Sequence, residues 1–155
     1  MRRHAGTRQR KDGKTVGLTL SAGGKSAEFT YGGWLRLRTA VAGMYPEDFA
    51  AHWRELAEMR SDAPDGFWEK YDAVTEEYLN GKSGVPRAAV KFIWQSDCGG
   101  RLCMRDCRRL LRDCGEYFAS DTAVYGYAGR ENPADGRTFL SLLAAGAEKG
   151  GMVWD

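Results

Sequence analysis

Apolar and polar positions alternate twice near the start of the chain. Val16, Leu18 and Leu20 are separated by small or polar residues, and after Ala22-Gly23-Gly24-Lys25 the pattern resumes at Ala27, Phe29 and Tyr31. A period of two places one set of side chains on one face of a strand, and a glycine-rich turn between two such runs predicts a β-hairpin. A two-stranded hairpin is marginal alone. Its apolar face must therefore lie on helices or pair with a further strand, and Met152-Val153-Trp154 is the obvious third strand.

After Gly32-Gly33, read as a break that ends the strand, the period changes to three and four. Trp34, Leu37, Val41 and Met44 predict a helix that Tyr45-Pro46 interrupts. Phe49, Trp53, Leu56 and Ala57 predict a second, with Glu47 and Asp48 at its dipole-positive start. Asp62-Ala63-Pro64-Asp65-Gly66 reads as a turn. Phe67, Tyr71, Val74 and Tyr78 then mark a third helix, which ends near Asn80-Gly81 and carries Glu69, Asp72, Glu76 and Glu77 on its outer face.

The compact run Ala88 to Trp94 is assigned to a helix, although its periodicity fits a buried strand equally well. Cys103 to Phe118 is the most amphipathic segment. Cys103, Cys107, Leu110, Leu111, Cys114 and Phe118 share its apolar stripe, and Arg105, Arg108, Arg109, Arg112 and Asp113 occupy other faces. Residues 119–136 read as a loop carrying Tyr125 and Tyr127. Phe139, Leu142, Leu143 and Ala147 mark a last helix that stops at Gly150-Gly151. The expected fold is α+β and mostly α: an N-terminal β-hairpin, completed by a C-terminal strand, packed on about five to six helices.

A chain of 155 residues with 43% hydrophobic content bounds this as one domain, residues 15–155, able to bury its own core. Residues 1–14 contain no large apolar side chain and are expected to be a disordered basic tail. They hold six Lys or Arg against one Asp, which leaves 17 basic and 20 acidic residues in the remainder, a net of −3. The body therefore lacks the global basic field of a nucleic-acid binder. No apolar run approaches a bilayer span and no hydrophobic signal segment follows the tail, so no membrane role is expected. All four cysteines fall within the 17 residues from Cys98 to Cys114, unlike a disulfide framework, and reduced thiols point to the cytoplasm.

Three constellations could carry chemistry. Residues 95–106 can be laid over a twelve-residue EF-hand loop, with Gly100 at the turn position, Leu102 at the apolar position, and Gln95, Asp97 and Asp106 at ligand positions 1, 3 and 12. Gly99 at position 5 offers no side-chain oxygen, so the shape is expected to persist better than the affinity. Cys98, Cys103, Cys107 and Cys114 do not have the spacing of zinc knuckles or iron–sulfur sites and read as small buried hydrophobes. Arg101, Arg105, Arg108, Arg109 and Arg112 form a basic segment that could meet phosphate or an acidic partner.

Catalysis has little to draw on. His4 lies in the tail, and His52 beside Trp53 reads as a half-buried structural residue. Gly23-Gly24-Lys25-Ser26 has the end of a P-loop but connects two strands, with Thr19 where the motif's first glycine belongs. No catalytic residue and no cofactor are assigned.

The stretch Trp94-Gln95-Ser96-Asp97-Cys98-Gly99-Gly100, with Asp106-Cys107 on the next helix and a terminal Gly-Gly-Met-Val-Trp, resembles an uncharacterised family of small bacterial proteins. Its members share a Ser-Asp-Cys-Asp-Gly loop, a cysteine near the start of the following helix and an aromatic C-terminal strand. The resemblance covers residues 15–155 loosely and is specific at 96–107, where Gly99 replaces the usual Asp. It implies a bacterial origin and the fold, and carries no activity.

The function expected from these residues is a noncatalytic, intracellular protein-binding or regulatory module. Its partner would meet Tyr125, Tyr127, Arg105, Arg108, Arg109 and Arg112. The alternatives are a degenerate EF-hand-like metal-responsive module on Gln95, Asp97 and Asp106, and a nucleic-acid-binding accessory protein using the tail and the arginine helix.

Overall fold

The hairpin forms where the alternation places it. A computed structural model describes residues 17–58, 63–119 and 133–155. In it, β1 (Leu18–Ala22) and β2 (Lys25–Phe29) pair antiparallel, with Leu20 opposite Ala27 and Ala22 opposite Lys25. Gly23 and Gly24 make the connection at φ 53° and 86°, a left-handed conformation that glycine adopts without the Cβ clash other residues suffer.

The C-terminal strand pairs as anticipated, and a further one joins it. β3 (Gly100–Leu102) and β4 (Met152–Trp154) complete a four-stranded antiparallel sheet of order β2-β1-β4-β3. Leu20 lies opposite Trp154, which also lies opposite Gly100. One face of the sheet buries Leu18, Leu20, Ala22, Phe29, Leu102, Met152 and Trp154, while Thr19, Arg101 and Val153 point the other way and are exposed.

The described residues form six α-helices: α1 (Tyr31–Gly43), α2 (Glu47–Glu58), α3 (Phe67–Leu79), α4 (Arg87–Trp94), α5 (Met104–Ala119) and α6 (Pro133–Glu148); α1, α4, α5 and α6 pack on the sheet, while α2 packs on α1 and α3 on α4. Residues 87–94 are therefore helical, the choice that periodicity left open. Gly32-Gly33 does not delay α1. Thr30 accepts the Gly33 N–H on its hydroxyl at 2.9 Å, so this N-cap starts the helix at Tyr31, which the alternation had placed on the strand. At the other end of the chain α6 begins at Pro133, inside the span read as loop, with proline in the first turn where its missing N–H costs nothing.

The core is aromatic at its centre. The Trp34 ring centroid lies 6.0 Å from Phe29, 5.2 Å from Phe92 and 5.3 Å from Trp154, and Phe92 stacks on Phe139 at 4.9 Å. Burying a side chain of this size contributes about 1.5–3 kcal/mol. The hairpin, α1, α4, α6 and β4 thus meet in one cluster.

Candidate functional site

The loop between α4 and α5 is organised by protein donors. Arg38 on α1 is only 2% exposed, and its guanidinium donates to Phe92 O at 3.0 and 2.7 Å, to Gln95 O at 2.5 Å and to Asp97 Oδ1 at 2.7 Å. It sits over the rings of Trp34, Trp53, Phe92 and Trp154 at 5.0 to 5.9 Å. This cation caps the C-terminal carbonyls of α4, where a positive charge complements the helix dipole. Burial pulls its pKa down to about 10 against the raising effect of Asp97, so it remains charged at neutral pH.

The remaining loop contacts follow the same logic. Asp97 Oδ1 also accepts the Trp34 indole N–H at 3.0 Å, and Ser96 O accepts that of Trp154 at 2.9 Å. The Gln95 amide accepts from Arg101 N at 3.0 Å and donates to Arg101 O at 2.7 Å, bridging the neck of the loop. Asp106 Oδ2 accepts the Cys103 N–H at 3.3 Å and the Lys91 ammonium at 3.4 Å, a capping contact at the start of α5.

The three candidate metal ligands are thereby committed separately. In EF-hand register the oxygens at positions 3, 7 and 12 would be Asp97, Arg101 O and Asp106. Here they receive a guanidinium, an amide and an ammonium, and Gln95 presents its side chain to the backbone of Arg101. Among the described residues no group of three or more His, Cys, Asp or Glu is placed to hold a metal ion.

α5 resolves into two opposed faces. Cys107, Leu110, Cys114 and Phe118 are buried, and Arg105, Arg108, Arg109 and Arg112 are exposed. At 3.6 residues per turn these arginines fall within an arc of about 100° opposite the buried stripe. Asp113 accepts from Arg109 Nε at 2.9 Å, approaches Arg112 Nε at 3.7 Å and accepts the Tyr45 hydroxyl at 2.8 Å. Burial first, and then Asp113, push the Tyr45 pKa well above the usual phenol range. Arg105 and Arg108 make no ion pair with another described residue.

The cysteines divide two and two. Cys107 and Cys114 lie in the core, and burial pushes both thiols up to about 12, aided by Asp106 and Asp113 respectively. Cys98 and Cys103 are exposed, so neither is the small buried hydrophobe expected from the sequence. Cys103 thus departs from the expected apolar stripe, because α5 starts one residue later and the N-cap position lies off the helical face. His52 is buried, stacked on Tyr71 at 3.9 Å, with Nε2 2.9 Å from Thr75 Oγ1. The Thr75 hydroxyl also lies 3.1 Å from Tyr71 O, to which it donates. This is a packing contact between α2 and α3.

Tyr125, Tyr127 and the tail at 1–14 lie outside the described residues. Sequence reasoning overlooked Arg38, although a signal existed: it falls on the apolar stripe of α1, beside Leu37 and four residues after Trp34. No family model, no curated protein and no solved structure matches this chain. No helix among the described residues is long and apolar enough to cross a membrane.

Proposed function

We propose that the chain is a noncatalytic protein-binding module that docks an acidic surface of its partner through the arginine face of α5. The observation that carries this reading is the outward stripe of Arg105, Arg108, Arg109 and Arg112, two of which have no carboxylate among the described residues. Arginine suits the role because its planar fork can bind carboxylates bidentately. Asp113 and Glu116 on the same helix, and a body whose net charge is −3, favour a protein surface of mixed charge over a nucleic-acid backbone. The metal-responsive reading of residues 95–106 gains no support, since the Arg38 guanidinium, the Gln95 amide and the Lys91 ammonium already donate to the oxygens of that loop.

The test is retention of host proteins on the immobilised chain, compared with Arg105→Glu/Arg108→Glu and with nuclease treatment. A stoichiometric protein should be held by the unmodified chain, released by salt, lost with the double variant and indifferent to nuclease. No stoichiometric protein, or equal retention by the variant, would overturn the reading. Retention that nuclease abolishes would replace it with nucleic-acid binding.

A further inference from the structure

A surface with the required acidity and spacing occurs on this chain itself. On α3, Tyr71, Thr75 and Tyr78 are buried, and Glu69 and Glu76 stand on the opposite side with Asp72 beside them. Glu69, Asp72 and Glu76 step by three and then four residues. Arg105, Arg108 and Arg112 step identically, and Arg112, Arg109 and Arg105 repeat the step in the reverse direction. An α5 laid along an α3 therefore brings three guanidiniums opposite three carboxylates whichever way the helices run, because both helices share one rise per residue.

α3 packs on α4, and α4 packs in turn on α5. Asp72 and Glu76, like Arg105 and Arg108, make no ion pair with another described residue.

We propose that the partner is a second copy of this chain, with α5 of one copy docked on Glu69, Asp72 and Glu76 of α3 in the next. The inference rests on the docking role of the arginine face. The contact is heterologous: each copy uses a different patch, so association continues into open chains or closes into a ring. Solvated pairs of this kind are individually weak and screened by salt, so assembly belongs to low ionic strength and high concentration.

Sedimentation velocity of the full chain tests this between about 10 mM and 1 M salt, over which the Debye length falls from about 30 Å to about 3 Å. The unmodified chain should associate at low salt and return to monomer at high salt. Arg105→Gln/Arg108→Gln and Glu69→Gln/Glu76→Gln, each verified as folded by circular dichroism, should be monomeric alone. Mixed in equal amounts they should form a 1:1 dimer and nothing larger, because the mixture holds only one intact pair of complementary faces. An unmodified chain that is monomeric at every salt, or variants that associate as it does, would overturn the inference. If capture of host protein still depended on Arg105 and Arg108 in that case, the docking role would stand with a different partner; loss of both results would remove both.

Discussion

Arg38 and Asp97 show how a single charged pair can fix a loop. The guanidinium has four aromatic neighbours and one carboxylate, so removing the carboxylate leaves a buried cation uncompensated. Asp97→Ala is therefore expected to lower stability by about 3 kcal/mol in urea unfolding, the scale for breaking a buried pair. Arg38→Met/Asp97→Ala should cost clearly less than the two single changes added together, because it removes both charges. A cost for Asp97→Ala within the range of an exposed pair, below about 1 kcal/mol, would show that the loop does not depend on it.

The thiols give a second prediction at this scale. Their folded pKa values, raised from 9.0 to about 12, mean that the unfolded state loses those protons first. The stability they contribute is complete below pH 9 and is lost as pH rises through about 12. Urea midpoints measured across that window should decline less steeply for Cys107→Ala/Cys114→Ala than for the unmodified chain. In neutral buffer a thiol reagent should label Cys98 and Cys103 promptly, and Cys107 and Cys114 only on unfolding. Labelling of all four in the folded chain would mean that α5 is not packed as described.

Among the elements, the short strand β3 depends most on its partners. Gly100 lies opposite Trp154, and a Cβ there would fall inside the indole. A Cβ on Gly99 would meet open space. Gly100→Ala should lower the melting temperature, with a cost of about 1–3 kcal/mol for overpacking, while Gly99→Ala should leave it nearly unchanged. Equal effects would mean that β3 does not pack on Trp154.

The same contrast explains what the sequence disclosed about the elements. Leu18, Leu20 and Ala22 before Gly23-Gly24 make a local pattern, and so do Cys107, Leu110, Cys114 and Phe118, so the hairpin and α5 were legible. Gly100-Arg101-Leu102 is too short to show a period, and its pairing is decided by Met152–Trp154 some fifty residues away. Thr30, through its N-cap, and Pro133, through its place in a first helical turn, set two boundaries that hydrophobic spacing does not register. At the loop, Asp97 and Asp106 stood out as oxygen ligands. Their actual partners, Arg38 and Lys91, lie on other helices, and only the fold brings them near.

For the whole molecule, the arrangement assigns one side of each structural layer to cohesion and the other to solvent. The thiols, the aromatic cluster and the buried charge of Arg38 hold the sheet to its helices. The outer side of α5 contributes little to that cohesion, which makes its conspicuous charge the feature most in need of a role. Arg105→Glu/Arg108→Glu should accordingly change the urea midpoint little, within about 0.5 kcal/mol, while abolishing partner retention. The arginine stripe behind the proposed docking role was readable from the sequence, since its spacing is local. Its complement on α3 became apparent only when both stripes were found on the solvent side of their helices.

The most direct measurement is covalent labelling of arginines with a dicarbonyl reagent, read by peptide mass spectrometry in dilute purified chain and in concentrated host extract. Arg105 and Arg108 should react fully in the dilute chain and be protected in the extract, salt should remove the protection, and Arg38 should react only on unfolding. Equal reaction of Arg105 and Arg108 under both conditions would contradict the docking role.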